Sequence, residues 1–384
     1  MAATSDVETG LPAWTYTDPD FYALEREKLF APSWQIVCHD SDIAGRGAYA
    51  TLNFMGALIL VVRGDDGKAR AFKNVCRHRA ARLLDESFGQ CSSRIVCPYH
   101  AWTYDLQGRL VGAPGRAGYE PFDPSAYSLK ELELGECGGF LFVRVGKGKE
   151  SFDDFSAPLK DEFEIYNTKE MRALGRITLR ERAVNWKVAT DNYVDAMHLP
   201  VAHEGLDSLV GDSYRLGVDN GTHRIEADVD AHPHQSLSVQ AYRKFLPDVD
   251  HLPQTRRRKW LYLKLWPNLA FDIYPDQIDF MQFIPLSANR TLLREISYAL
   301  PDERREMRAA RYLNWRINRV VNIEDKDLID RVQAGLETGD YEPGPLSRDE
   351  ICLRDFAQRM RRELPICRER ERPAAETIRQ AISA

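Results

Sequence analysis

"CRHRAARLLDESFGQCSSRIVCPYH", from Cys76 to His100, carries Cys-x-His at one end and Cys-x-x-His at the other, with eighteen residues between them. Soft thiolates beside imidazoles are the donors a transition metal takes. Residues two apart on an extended strand or turn can aim at one point, and one turn of loop does the same for residues three apart. Cys76, His78, Cys97 and His100 therefore offer two thiolates and two imidazoles from two loops. Structural zinc usually pairs cysteine with cysteine in a short knuckle, whereas each half here mixes Cys and His. That pairing suits a cluster of two unlike irons, one held by two cysteines and the other by two histidines. Cys91 lies between the halves and matches no ligand. With Cys38, Cys137, Cys352 and Cys367 it reads as a small buried residue.

The rest of the chain sets the context. Its 384 residues are enough for two ordinary domains, and 43% hydrophobic with 29% charged residues is a globular composition. A net charge of -6 gives no reason to expect nucleic acid. No apolar run approaches the roughly 20 residues of a membrane helix, and "MAATSDVETG" does not read as a signal peptide. Seven cysteines are too sparse for a disulfide scaffold, so reduced thiols in the cytoplasm are expected. Residues 1–35 are expected to be helical, with Phe21, Leu24, Leu29 and Phe30 at roughly helical spacing. Residues 36–148, with runs such as "ALILVV" and "GGFLFVRV" between Gly and Asp turns, read as an antiparallel β domain. Residues 149–384 read as mixed: helices over 153–166, 187–199, 301–335 and 347–363, and strands over 170–187, 222–243 and 258–300. The arginine-rich "RERERP" reads as a solvated helix face.

A second cluster lies in "NWKVATDNYVDAMHLPVAHEGL", Asn185 to Leu206. Asp191, Asp195 and His198 at i, i+4, i+7 are expected on one face of a helix that Pro200 ends at Leu199. On a continuous helix His198 and His203 would diverge by about 140°; a break lets them converge. Two neutral imidazoles with one carboxylate form the facial triad of non-haem Fe(II) oxygenases, with positions left open for O₂ and substrate. "HPH" at 232–234 is a weaker candidate pair, with no acidic partner nearby.

Both stretches resemble the Rieske non-haem iron oxygenases, in their α (oxygenase) subunit. "CRHRAARL" and "CPYHAWTYDLQGRLVGAP" resemble the family's two cluster loops, with Ala80 and Ala101 where many members have glycine. Asn185, Trp186, Lys187, Asp191, Asn192, Asp195, His198 and His203 match its N-W-K-x₃-D/E-N-x₂-D/E-x₂-H-x₄-H motif. The resemblance implies an α+β fold in which an antiparallel-β Rieske [2Fe–2S] domain (36–148) is inserted in a helix-grip (START-like) catalytic domain (1–35 and 149–384). It implies one cluster on Cys76, His78, Cys97 and His100, and one mononuclear Fe(II) on His198, His203 and a carboxylate of the long C-terminal helix. Asp325 matches that position best; Glu324, Asp327 and Asp330 are its rivals. Asn192 would stand behind the ligands. Within one subunit the family's two metals are too far apart for rapid electron transfer, so the resemblance implies a homotrimer. Asp195 would then bridge His198 to His100 or His78 of a neighbouring subunit. No Gly-rich dinucleotide fingerprint appears, so a separate ferredoxin or flavin reductase would deliver electrons from NAD(P)H.

The implied reaction is O₂-dependent hydroxylation of a small organic substrate. "EDKDLIDRVQAGL" and "YEPGPLS" look most like Rieske monooxygenases, including those of quaternary ammonium compounds and N- or O-dealkylating relatives. Asp195 departs from ammonium oxygenases that carry glutamate there. In oxidative N-dealkylation a carbon on nitrogen is hydroxylated and the product collapses to amine and aldehyde. The alternatives are aromatic-ring hydroxylation or cis-dihydroxylation, a Rieske electron carrier with a non-catalytic second domain, and a zinc-stabilised binding protein. The pocket is expected between the segment after His203 and the strands of 259–283, where Trp266, Phe271, Tyr274 and Phe280 are either core or an aromatic cage for a cation.

Overall fold

The computed structural model describes residues 8–119, 121–229 and 236–383. It divides into two compact units, Ala31–Ala173 and a unit built from Met1–Phe30 with Leu174–Ala384.

The unit Ala31–Ala173 is built on a seven-stranded antiparallel sheet. Its strands run in the order Trp34–His39, Phe140–Arg144, Glu131–Cys137, Ala69–Lys73, Ala57–Arg63, Ala48–Phe54 and Phe88–Gln90. The apolar run of "ALILVV" has its reason here: Ile59, Leu60, Val61 and Val62 are all buried, so the strand is covered on both faces. A three-stranded sheet of Arg94–Val96, Thr103–Asp105 and Leu110–Gly112 carries the second Cys/His loop. Leu60, Phe72, Ile95, Trp102 and Tyr104 form the core beneath both loops.

The other unit is a large antiparallel sheet packed by helices. Thr178–Arg182 lies at the edge beside Arg290–Ala299, followed by Ile278–Ser287, Leu269–Ile273, Lys259–Leu265, Thr222–Asp228 and Arg215–Asp219. The long helix Arg305–Glu337 buries Ala310, Asn314 and Ile317 and, three turns on, Ile329, Gln333 and Leu336, each set spaced by four and three residues. Helix Trp186–Val194 packs against it. At the chain start, helix Pro19–Glu25 passes into one π-helical turn, Arg26–Phe30, which accounts for the five-residue step from Leu24 to Leu29.

Two expectations change. The stretch 222–243 is not all strand, because Leu237–Phe245 is a helix whose Val239 and Tyr242, three apart, are its buried residues. "RERERP" is solvated as expected but not helical: residues 369–373 lie between helices, and Arg372 pairs with Asp18. No described helix is long and apolar enough to cross a membrane.

Candidate metal centres and the cavity beside them

The two Cys/His loops share one backbone design. Cys76 N–H donates to Ala81 O and Cys97 N–H to Trp102 O, both at 2.8 Å. Ala80 N–H donates to Cys76 O and Ala101 N–H to Cys97 O, both at 3.1 Å. Closing each loop this way requires a left-handed residue at the fourth position after the cysteine, and Ala80 (φ 57°) and Ala101 (φ 54°) supply it. The loops therefore keep the conformation glycine would favour, and each alanine carries a Cβ penalty.

The side chains segregate by element. The Cys76 and Cys97 thiols are both buried, burial and the neighbouring Cys76 push the Cys97 thiol up, and Cys76 Sγ lies 3.4 Å from Tyr104 Oη. The imidazoles of His78 and His100 meet edge to face with centroids 4.7 Å apart, and His78 stacks on Trp102. Nδ1 of His78 and Nδ1 of His100 are both buried without a hydrogen-bond partner. An unpaired buried nitrogen costs about 1–3 kcal/mol, and two of them side by side are the donors a metal would take. Sulfur beside sulfur and nitrogen beside nitrogen fits a two-iron cluster rather than one zinc ion.

The second centre depends on two breaks in the backbone. Asn185 caps helix Trp186–Val194, accepting from Lys187 N–H at 2.9 Å, and its own N–H donates to Gln333 Oε1 on the long helix. The helix ends at Val194, earlier than the expected Leu199. The reason is local: Asp195 is extended (φ −82°, ψ 131°) and its carboxylate accepts from Met197 N–H at 2.8 Å, a turn that competes with the helix. Asp195 and His198 thus do not share a helical face with Asp191. Pro200 does not end a helix; it sits in the first turn of Leu199–Ala202, where its missing N–H costs nothing. A second break at His203 (φ −124°, ψ 62°) precedes helix Glu204–Val210.

These breaks turn the histidines together. His198 Nε2 and His203 Nε2 lie 3.2 Å apart, and Asp325 Oδ1 lies 2.9 Å from His203 Nε2 and 3.6 Å from His198 Nε2. Among the described residues, these three bring ligand atoms within 4.8 Å of one another, a grouping that could hold one metal ion. Their outer nitrogens are engaged: His198 Nδ1 with Asp195 Oδ2 at 3.0 Å and His203 Nδ1 with Glu324 Oε2 at 2.8 Å. Carboxylates on Nδ1 fix the tautomer that leaves Nε2 free for a metal. Asn192 Nδ2 reaches Asp325 Oδ1 at 3.1 Å and His198 Nε2 at 3.3 Å. Burial works against the Asp325 carboxylate, but hydrogen bonds from His198 and His203 hold it ionised, down to about 2. Of the rival acids, Glu324 backs a histidine, and Asp330 pairs with Lys326 at 2.5 Å. "HPH" at 232–234 lies outside the described residues.

A cavity of about 110 Å³ opens beside the three residues. Its aromatic walls are Tyr193, Tyr214, Tyr262 and Phe283, with the Tyr193 ring 5.7 Å from Phe283 and 6.4 Å from Tyr262. The expected four aromatics do not line it. Phe271 is turned to the opposite sheet face by strand alternation, beside Phe280; Tyr274 packs on Trp260, and Trp266 on Phe356. Asp272, buried in the cavity wall, accepts hydrogen bonds from Tyr193 and Tyr274. Burial raises its carboxyl to about 7, with Glu295 adding to the rise and the tyrosines opposing it.

Residues 168–365 match the family of ring hydroxylating alpha subunits (catalytic domain), and residues 33–123 match the Rieske [2Fe-2S] domain. The chain belongs to the Rieske ring-hydroxylating oxygenase family. The oxygenase is 31% identical over 349 residues to the carnitine monooxygenase oxygenase subunit of Acinetobacter baumannii, covering 89% of each chain. A stretch of 201 residues is 39% identical to the glycine betaine monooxygenase oxygenase subunit of Chromohalobacter salexigens, spanning 52% of this chain and 44% of that one. The crystal structure of the quaternary ammonium Rieske monooxygenase CntA with its substrate L-carnitine superimposes with a TM-score of 0.78 at 26% identity, covering 94% of this chain and 97% of that one. The expected Rieske domain and α+β catalytic domain both hold, and the electron-carrier and zinc readings give way to an oxygenase. A [2Fe–2S] cluster and a mononuclear iron are the metal groups of such a protein, and the donor sets described above fit them. As an oxygenase subunit of a multicomponent system, it takes its electrons from a reductase.

Proposed function

We propose that the oxygenase hydroxylates an N-alkyl carbon of a quaternary ammonium compound, which then releases an aldehyde and the dealkylated amine. The observation that carries this is the box of Tyr193, Tyr214, Tyr262 and Phe283, closed by the Asp272 carboxylate, beside His198, His203 and Asp325. A quaternary ammonium group donates no hydrogen bond and is held by aromatic faces and negative charge. The names of the relatives point to the same class of substrate.

In this reading Cys76, Cys97, His78 and His100 hold the cluster, and His198, His203 and Asp325 hold the mononuclear iron. The ferrous centre, when bound, supplies O₂ activation. The chain's own part is to bind and orient. The aromatic box sets an N-alkyl carbon beside the three ligands, Asp195 and Glu324 hold the imidazoles on their Nδ1 atoms, and Asn192 steadies the Asp325 oxygen. We further propose a homotrimer in which Asp195 of one subunit bridges His198 to a cluster histidine, His100 or His78, of the next. The test is turnover with a reductase against a panel of N-methyl compounds, aryl ethers and arenes. Formaldehyde released from trimethylammonium substrates supports the proposal. A ring-hydroxylated or cis-diol product, with no aldehyde from any ammonium compound, overturns it.

A further inference from the structure

The cavity beside the metal ligands has a cation in its wall as well as an aromatic box. Arg182, on the edge strand Thr178–Arg182, lines it and also lines a second cavity of about 330 Å³ that continues from the first. The guanidinium makes one hydrogen bond, from Nη1 to its neighbour's carbonyl, Glu181 O, at 3.3 Å, and no carboxylate pairs with it among the described residues. Most of the other charged groups along these walls are committed, and Arg319, in the second cavity alone, lies over the Trp315 ring at 5.5 Å. Arg180 is bound to Glu295 and Asn322, Lys326 to Asp330, and Asp279 accepts from Gln277 at 2.9 Å. A half-buried guanidinium with unused donors, facing a small-molecule cavity, is matched by a carboxylate, which it can bind through two parallel hydrogen bonds. A third cavity of about 630 Å³ shares Arg180 and Arg319 with the second, and adds Arg176, Arg308 and Arg311.

We propose that Arg182 is the anchor for a substrate carboxylate, so that this oxygenase selects zwitterionic, carboxylate-bearing quaternary ammonium compounds over uncharged-tailed ones such as choline. The inference rests on the substrate class proposed above and adds to it the residue that reads the second charge. Arg182 is a specificity-determining residue and takes no part in the oxygen chemistry.

The experiment measures binding by calorimetry to the metal-loaded enzyme. The probes are glycine betaine, choline, and tert-butylacetate, an isostere of glycine betaine that keeps the carboxylate and lacks the cation. Arg182→Gln should weaken tert-butylacetate and glycine betaine about tenfold or more and leave choline unchanged, with Arg182→Lys in between. An unaltered Rieske absorption spectrum checks that each variant is folded. Equal affinity of Arg182→Gln and the parent for tert-butylacetate, or no binding of that probe by the parent, overturns the proposal. Failure of the ammonium reading has a different signature: choline does not bind the parent, while tert-butylacetate still binds and still depends on Arg182.

Discussion

Asp195 Oδ2 lies 3.0 Å from His198 Nδ1, and the opposite nitrogen of the same ring lies 3.2 Å from His203 Nε2. The carboxylate thus sets which nitrogen of His198 faces the metal site, while its second oxygen holds the turn through Met197 N–H. In the proposed trimer it also carries the link to the neighbouring cluster. Asp195→Ala should lower turnover roughly a hundredfold or more, with both metals retained when iron is in excess. The check is single-turnover oxidation of the reduced cluster, which should stall. A variant with parental activity would remove the role.

Ala80 and Ala101 hold left-handed conformations in matching places. Ala80→Gly and Ala101→Gly relieve a Cβ penalty of about 1–2 kcal/mol each, partly offset by the greater freedom of glycine in the unfolded chain. Each should stabilise the cluster-loaded protein by about 0.5–1 kcal/mol. Denaturant unfolding followed by loss of cluster absorption measures it, and destabilisation by either change would contradict the reading of the loops.

Lys187 and Glu25 form a pair at 2.6 Å with both side chains wholly buried. Lys187→Met leaves a carboxyl that burial already pushes above its usual range, and should cost about 3–5 kcal/mol. Lys187→Met with Glu25→Leu removes both charges and should recover much of that loss. Guanidinium unfolding of the two variants decides between this and a pair without weight, for which single and double changes would be equally mild.

Asp272 titrates at about 7 in the folded chain, above the ordinary carboxyl range, because it is buried. The sign follows directly. Below that value the carboxyl is neutral and holds a cation less well; above it the ionised form attracts one. The kcat/KM for a quaternary ammonium substrate should therefore rise between about pH 6 and pH 8, by up to about tenfold. Tyr193 and Tyr274, which donate to Asp272, and Glu295, of like charge, face it throughout. Asp272→Asn should flatten the profile, and an unchanged slope in that variant would exclude Asp272 as its source.

Both candidate donor sets stand out in the sequence because their donors are rare residue types at constrained spacings. The details that depend on competition between local forces were not. Pro200 is as much at home in a first helical turn as after a last one, so the residues alone did not show that the Asp195 turn would end the helix first. Strand alternation was readable around Phe271, but which face meets the cavity depends on the helices packed against the sheet. The choice of Asp325 had an unused signal. It stands four residues from both Val321 and Ile329, on the inward stripe of the long helix, while Glu324 does not. That Glu324 would nonetheless reach His203 Nδ1 depends on how closely the long helix approaches the turn after His198, which no local pattern encodes.

The most direct measurement is metal content and spectrum of His203→Ala beside the parent. The parent should carry about three irons per chain with Rieske absorption. His203→Ala should lose the single ferrous ion and all substrate oxidation while its cluster spectrum stays intact. Loss of the cluster in that variant, or full iron content with normal turnover, would contradict the assignment of two separate metal centres to these residues.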